Sequence, residues 1–172
     1  MTPEPNHVKG IEEIHQHSPV NSAVLMLLMP YREDWAIPFI QRTSVGKYHG
    51  GQIALPGGKT EPEDTNARDT ALRECHEEIG VNPEDVTIIG SLSDVYIPLS
   101  NFNITPIVGT IPKIPNFVLS EDEVEEVIVI PLNDLFDDKN KTSHSLYRND
   151  RQIVAPGYNC LLYTSPSPRD AH

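Results

Sequence analysis

The segment from Gly57 to Val81, which reads GGKTEPEDTNARDTALRECHEEIGV, constrains the fold more strongly than any other part of the sequence. Its second half carries small or apolar residues at helical intervals, namely Ala67, Ala71, Leu72, Cys75 and Ile79. Because residues three and four apart share a helix face, this spacing predicts an amphipathic helix. Asp64 or Thr65 is expected to cap its start, and Gly80 suits the left-handed residue just past its end.

The opposite face of the predicted helix carries three carboxylates, those of Glu74, Glu77 and Glu78. Their spacing crowds them onto one patch, and each like-charged pair costs about 0.2–0.5 kcal/mol. A divalent cation would turn this repulsion into attraction, because hard cations bind carboxylate oxygens. The alternative is a solvated acidic face. The Gly-Gly turn before the helix and the basic Arg73 favour the cation site over that alternative.

Length, charge and cysteine content limit the classes of function. With 172 residues, the chain is long enough for one domain with a full hydrophobic core. Its formal net charge of -12 argues against a nucleic-acid backbone or an anionic membrane as partner. The two cysteines show no pairing pattern, and we find no signal peptide or membrane-spanning run, so we expect a cytoplasmic protein. The oligomeric state is left open.

A basic, glycine-rich segment, RTSVGKYHGGQIALPGG, lies immediately upstream of the helix. Arg42, Lys47 and His49 could hold phosphate groups, and glycines allow backbone N–H groups to approach a phosphate closely. An ordinary flexible turn followed by a strand over Gln52–Leu55 is equally compatible with this composition.

The Gly-Gly turn and the acidic helix together resemble the Nudix box. The matching residues are Gly58, Arg73, Glu74, Glu77, Glu78, Gly80 and Val81. Cys75 stands where the box has an aliphatic residue, and Asp64 is the acid of the intervening segment. Eight residues separate Asp64 from Arg73, where the box has seven. This longer gap resembles the coenzyme A pyrophosphatase branch of the Nudix family.

The upstream segment strengthens the resemblance to that branch, whose second motif lies just before the Nudix box. The motif is matched here by Arg42, His49, Gln52 and the turn Pro56-Gly57-Gly58. Its Leu-Arg pair is replaced by Gly46-Lys47, which keeps a positive charge but loses the bidentate guanidinium. Two motifs at the correct spacing are more specific than either motif alone.

The resemblance implies metal-assisted hydrolysis of a pyrophosphate linkage. Glu74 and Glu78 would hold Mg²⁺ or Mn²⁺, with the Gly57 carbonyl as an extra ligand. Glu77 would complete the catalytic set, either as a further metal ligand or as the group that orients or deprotonates water.

The same resemblance assigns supporting residues. Arg73 would join the helix to the preceding loop by pairing with an acid such as Asp64, Gly80 would end the helix, and Glu61 could lie in an outer shell. The residues expected to bind substrate are Arg42, Lys47, His49, Gln52 and Gly58. A further acidic group is expected from Glu123, Glu125 or Glu126, among which the sequence does not choose.

The implied substrate is coenzyme A or one of its thioesters, cleaved to phosphopantetheine and a bisphosphorylated adenosine. One alternative is hydrolysis of another nucleoside diphosphate derivative, such as ADP-ribose. Outside catalysis, the sequence is also compatible with a weakly active module that only binds a nucleotide, and with a truncated, inactive protein.

We expect an α/β fold, similar to the Nudix α/β/α sandwich with a mixed β-sheet but lacking its C-terminal helix. The predicted strands are Ser22–Met29, Trp35–Ile40, Gln52–Leu55, Val86–Leu92, Ile104–Ile111, Val127–Ile130 and Gln152–Tyr158, with a short helix over Leu132–Phe136. Pro106 suggests that its strand lies at an edge or contains a bulge. We expect the domain that resembles the Nudix family to span residues 22–159, after a polar lead-in of residues 1–21. Residues 160–172 resemble translated adapter or vector read-through and are excluded from the predicted fold.

Overall fold

The structure, a computed structural model, describes residues 18–43, 51–98, 100–148 and 151–158. The strands within them are β1 Val20–Tyr31, β2 Asp34–Arg42, β3 Ile53–Ala54, β4 Gly57–Lys59, β5 Thr87–Ser91, β6 Val95–Ile97, β7 Phe102–Thr110, β8 Val124–Pro131, β9 Lys141–Arg148 and β10 Arg151–Tyr158. The helices are α1 Ala67–Ile79 and α2 Leu132–Phe136, and short 3₁₀ turns cover Pro83–Asp85 and Asp138–Asn140. The predicted substrate-binding residues Lys47 and His49 lie outside the described residues, as does the tail 160–172.

Strand β1 lies at the centre of a mixed eight-stranded sheet. It pairs in parallel with β7 along most of its length, and antiparallel with β4 near its start and β2 near its end. Strand β2 continues the sheet to β3 and β8, while β7 continues it to β5 and β6. Strands β9 and β10 form a separate hairpin. The predicted α/β class with a mixed sheet is therefore confirmed.

The main hydrophobic core lies between this sheet and α1. Alternate residues of β1, from Ala23 to Met29, are fully buried, because successive side chains of a strand point to opposite faces. They pack against the small and apolar stripe of α1 that the sequence predicted, namely Ala71, Leu72, Cys75 and Ile79. Each fully buried Leu, Ile or Met contributes about 1.5–3 kcal/mol relative to an exposed position. This burial fixes the orientation of α1 and therefore of its acidic face.

Of the edge and the bulge predicted for the strand containing Pro106, the edge is wrong, because β7 lies between β1 on one side and β5 with β6 on the other. The pairing of β5 with β7 does contain an irregularity, between Ile88 and Gly90 of β5. The carbonyl of Pro106 accepts a hydrogen bond of 2.9 Å from the N–H of Leu92. Leu92 follows the pair Ser91 and Ile107 in register, so the N–H that proline lacks would complete this pair, and the β5–β7 ladder ends here. Residues 94–103, which separate two of the predicted strands, include strand β6 and the start of β7.

Candidate active site

Helix α1 has a defined residue at each end. The side chain of Asn66 caps its start by accepting hydrogen bonds from the N–H groups of Arg68 at 2.9 Å and Asp69 at 3.2 Å. The expectation that Asp64 or Thr65 caps the helix is therefore wrong, and the Asp64 carboxylate is instead held by Arg73. Gly80 follows the helix in the left-handed conformation, with φ of 72°.

Two glycines of β4 bring the strand unusually close to its neighbours. A methyl group at Gly57 would lie 2.3 Å from the carbonyl oxygen of Ala23, so the backbone of β4 lies directly against β1. A methyl group at Gly58 would lie 2.4 Å from the carboxylate of Glu74. Only glycine leaves room for these approaches. The prediction that this Gly-Gly pair forms a turn is wrong, because both glycines lie in β4, where they contact acidic side chains of α1.

Arg73 joins α1 to the strand and loop that precede it. Its Nε and Nη2 donate to the two carboxylate oxygens of Asp64 at 3.0 and 2.9 Å, and Nη2 also donates to the Lys59 carbonyl at 2.9 Å. Its Nη1 donates to Glu74 and Glu77, each at 3.0 Å. Hydrogen bonding to Arg73 lowers the pKa of Asp64 to about 2, and the same pairing raises the pKa of Arg73.

The carboxylate of Glu78 is buried, with 1% of the side chain exposed, and both of its oxygens are engaged. Oε2 accepts a hydrogen bond of 2.9 Å from the Gly57 N–H, and Oε1 lies 3.0 Å from Nη2 of Arg42. The same Nη2 donates to the Gly57 carbonyl at 2.9 Å. Burial raises the pKa of Glu78 to about 7, against the opposing effects of Arg42 and the Gly57 N–H.

Glu74 and Glu78 also experience the charge of Glu123, which lies in the turn before β8. Burial raises the pKa of Glu74, Arg73 opposes this rise, and the charges of Glu77 and Glu123 add to it. The charge of Glu123 likewise raises the pKa of Glu78. The turn is held beside the end of β2, because the Glu123 carbonyl accepts a hydrogen bond of 3.0 Å from the Thr43 N–H.

The other two acids of this run are placed differently. Glu125 is exposed, and its carboxylate accepts a long hydrogen bond of 3.5 Å from the side chain of Gln41. Glu126 lies on β8 in register with Gln41. Glu123, but neither of these two acids, is among the main causes of the pKa shifts of Glu74 and Glu78. Glu123 is therefore the acid of the three that the structure couples to α1.

The remaining predicted residues surround this cluster less closely. Gln52 is exposed just before β3, and its carbonyl accepts a hydrogen bond of 2.9 Å from the Arg42 N–H. Glu61 is exposed, and its N–H donates to Asp64 at 2.9 Å. Thr70, which was not predicted to take part in the site, is fully buried on α1, and its hydroxyl donates to Asp64 at 3.0 Å. The position of the polar Thr70 beside the apolar stripe of α1 is the sequence signal that could have indicated its hydrogen bond to Asp64.

The donor set of this cluster consists of carboxylate and carbonyl oxygens, which is the chemistry that Mg²⁺ and Mn²⁺ select. In the described part of the chain, no three His, Cys, Asp or Glu side chains converge closely enough to hold a metal ion. Instead, the guanidinium group of Arg42 forms an ion pair with Glu78, and that of Arg73 forms one with Glu74. The residues fit a hard divalent cation in donor type and in excess negative charge.

Solved Nudix structures define the class of this fold. A Nudix hydrolase from M. smegmatis, RenU, superposes with a TM-score of 0.57 at 19% identity, covering 70% of this chain and 76% of that one. The binary complex of a C. elegans Ap4A hydrolase gives a TM-score of 0.57 at 16% identity, covering 67% and 83%. At these identities, the likeness concerns the fold alone.

The sequence comparisons extend from fold to family. The family profile described as the NUDIX domain matches residues 20–150. The chain therefore belongs to the Nudix family.

Two curated relatives are similar over much of this chain. Nudix hydrolase 3 of Caenorhabditis elegans is 34% identical over 136 residues, which is 77% of this chain and 55% of that protein. NudL of Enterobacter sp. (strain 638), described as an uncharacterized Nudix hydrolase, is 38% identical over 112 residues, covering 65% and 58%. The chain thus spans less than two thirds of the length of these relatives. Among the described residues, no helix is both long and apolar enough to cross a membrane.

Proposed function

We propose that this protein is a Nudix pyrophosphohydrolase that cleaves the pyrophosphate linkage of coenzyme A or its thioesters. The products are phosphopantetheine and a bisphosphorylated adenosine. The observation that carries the hydrolase assignment is the seating of Glu74 and Glu78 against the Gly57-Gly58 strand, with Glu123 close enough to affect both. Family membership supports the same assignment.

Glu74, Glu78 and the Gly57 carbonyl would hold Mg²⁺ or Mn²⁺, with Glu77 and Glu123 as the further acids of the site. When bound, such a cation neutralises phosphate charge and lowers the pKa of water. Glu77 is the most exposed acid that Arg73 contacts, with 54% of its side chain accessible. It is therefore suited to act as an additional ligand or to orient or deprotonate a water molecule.

Arg73 acts as a positioning residue in this proposal. Its bidentate pairing with Asp64 and its contact with the Lys59 carbonyl fix the loop and strand that precede α1. The remaining nitrogen bridges Glu74 and Glu77 and offsets their charge. The two acids are thereby kept in defined positions before any substrate arrives.

The choice of coenzyme A rests on the upstream motif. Coenzyme A carries a phosphate on its ribose in addition to the pyrophosphate, so its recognition needs cationic or donor groups beyond the metal site. Arg42, Lys47, His49 and Gln52 are the candidates for this contact. Gly58, which was also expected to bind substrate, lies instead against the carboxylate of Glu74. Because the net charge is -12, an anionic substrate needs a bound cation or a local basic segment of this kind.

A panel of coenzyme A, an acyl-coenzyme A, dephospho-coenzyme A and ADP-ribose, with product identification and with or without Mg²⁺, tests the proposal. We expect Mg²⁺-dependent cleavage, with coenzyme A or its thioester favoured over ADP-ribose. A clear preference for ADP-ribose would replace the substrate assignment by the alternative nucleoside diphosphate derivative. A folded protein that binds these compounds without turnover would indicate a nucleotide-binding module.

Lys47→Ala tests the substrate contact within the motif, and the exposed Lys113→Ala is its matched control. A charged contact is worth roughly 1.5–3 kcal/mol, so kcat/KM for coenzyme A should fall about tenfold or more. The value for dephospho-coenzyme A, which lacks the ribose phosphate, should change little. Equal losses on both substrates would remove Lys47 from ribose-phosphate recognition.

A further inference from the structure

Arg42 lies where a metal ion would be expected to bind. A single nitrogen, Nη2, contacts the Gly57 carbonyl at 2.9 Å and Oε1 of Glu78 at 3.0 Å. These two oxygens belong to the set that the proposed function assigns to a divalent cation. A guanidinium nitrogen cannot share them with a cation, because both would need the same oxygen lone pairs.

Of the three groups that meet here, Arg42 is the one able to move. The Gly57 backbone is fixed by its close contact with β1, since even a methyl group there would lie 2.3 Å from the Ala23 carbonyl oxygen. The Glu78 side chain is buried on α1 and is also held by the Gly57 N–H. The Arg42 side chain is 33% exposed and extends from the last residue of β2, next to an irregularity in its pairing with β8.

Electrostatics also favour an exchange of Arg42 for a doubly charged ion. Among the described residues, Asp64, Glu74, Glu77, Glu78 and Glu123 supply the acids of the cluster. Arg42 and Arg73 are the guanidinium groups in contact with them, so negative charge remains in excess. Replacing one unit of positive charge by two at the buried Glu78 reduces this excess.

We propose that Arg42 is the counter-ion of the metal-free site and that a divalent cation displaces it from Glu78 and the Gly57 carbonyl. The displaced guanidinium then faces the entering substrate as a phosphate ligand. Arg42 is thus a positioning residue that keeps the buried carboxylate paired until the metal arrives. The inference rests on the proposed function, because it takes Glu78 as a metal ligand.

Mn²⁺ affinity, measured by titration calorimetry or by the electron paramagnetic resonance of free Mn²⁺, tests this exchange without turnover. In R42M the cation no longer competes with a guanidinium, so the Mn²⁺ affinity should be at least about tenfold higher than that of the unmodified protein. The melting temperature of metal-free R42M should be lower, and saturating Mn²⁺ should close this gap. R68M, which removes an exposed arginine of α1, should change neither quantity.

Two outcomes separate this inference from the proposed function. If E78Q abolishes Mn²⁺ binding while R42M binds Mn²⁺ no more tightly than the unmodified protein, Arg42 is not a competitor and only the inference fails. If the unmodified protein binds no Mn²⁺, or E78Q binds it equally well, the metal site itself is wrong.

A measurement on the unmodified protein covers the case in which R42M does not fold. The side-chain N–H signals of Arg42 should shift and exchange faster with water when Mg²⁺ is added, because the guanidinium leaves its buried partner. An R42K variant assigns these signals. Arg42 signals that stay unchanged at saturating Mg²⁺ would overturn the displacement.

Discussion

The carboxylate of Glu74 lies directly over the backbone of Gly58, where a single added methyl group would be 2.4 Å from its carbon and from Oε1. Helix α1 and strand β4 therefore meet through a carboxylate and a glycine rather than through two apolar side chains. The contact requires the absence of a side chain at residue 58. It makes the position of Glu74 sensitive to the smallest possible substitution.

Gly58→Ala should reduce activity far more than stability. The added methyl group displaces the end of a flexible side chain, so the free energy of unfolding should fall by no more than about 1 kcal/mol. A displacement of Glu74 by about 1 Å should lower kcat about a hundredfold. Kinetics and a denaturation curve on the same preparation provide both values. Gly90→Ala is the control, since an added methyl there meets nothing within 4 Å.

Gly57→Ala, in contrast, should strongly reduce the stability of the protein. Its methyl group would meet the Ala23 carbonyl oxygen at 2.3 Å and the Val24 backbone at 2.6 Å, and neither atom can move without shifting β1. We expect a loss of about 3 kcal/mol in the free energy of unfolding, at the upper end of overpacking effects. Denaturation curves measure this loss, and a Gly57→Ala protein with unchanged stability would show that β4 is not held tightly against β1.

Asp64→Asn should destabilise the protein in a pH-dependent way. The pKa of Asp64 is about 2 in the folded chain, below its ordinary value of 3.8, because of the hydrogen bond from Arg73. The stability that this carboxylate provides is present above pH 4 and is lost as the pH falls toward 2. Urea denaturation should show a deficit of about 1–2 kcal/mol for the variant at pH 7 that narrows below pH 4. A deficit that does not depend on pH would mean that the charge of Asp64 is not what stabilises the loop.

The sequence predicted helix α1 and its apolar stripe correctly because both depend on local spacing, but Glu78 is buried beside that stripe and not on the opposite face. The intervals of Ala71, Cys75 and Ile79 determine which face is buried, and the position of Glu74 follows from helix geometry alone. Gly80 likewise ends the helix as its position predicted. These features need no knowledge of the rest of the chain.

Features that depend on distant partners were not predictable from local patterns. Asp64 is a residue type that often caps helices, but its carboxylate pairs with Arg73, and the N-cap of α1 is Asn66. Pro106 lies in a central strand, at the point where the neighbour of β7 changes from β6 to β5. No local sequence pattern reveals this change of neighbour. The choice of Glu123 over its neighbours depends on how the turn before β8 packs beside β2.

Cys75 should be inert toward thiol reagents in the folded protein. It is 1% exposed, and burial raises its pKa to about 12, whereas the reactive species is the thiolate. In a Cys160→Ser variant, Cys75 is the remaining thiol of the chain, which contains two cysteines. Labelling at pH 8 should be about a thousandfold slower than for an unfolded control in denaturant. Rapid labelling with unchanged circular dichroism would contradict the packing of α1 on the sheet.

Glu78→Gln should abolish turnover while leaving the metal-free protein as stable as before or more stable. The pKa of Glu78 is about 7 in the folded chain, above its ordinary value of 4.5, so folding favours the neutral carboxyl. The stability associated with that neutral form is present below about pH 4.5 and is lost as the pH rises through 7. Glutamine stays neutral throughout, so without metal the variant should match the unmodified protein at pH 4.5 and exceed it by about 1–3 kcal/mol at pH 8.

With Mg²⁺ added, the unmodified protein should be more stable than Glu78→Gln. The cation stabilises the ionised Glu78, and this ligand is absent from the variant. Turnover with Mg²⁺ should fall about a hundredfold or more. Glu125→Gln, which neutralises an exposed acid of β8, should change neither the pH profile nor the rate. Melting curves from pH 4.5 to pH 8, with and without Mg²⁺, give the stability values, and the coenzyme A assay gives the rate. Near-normal turnover of Glu78→Gln would remove Glu78 from the metal site, because a neutral amide cannot replace a buried carboxylate as the principal ligand of a hard cation.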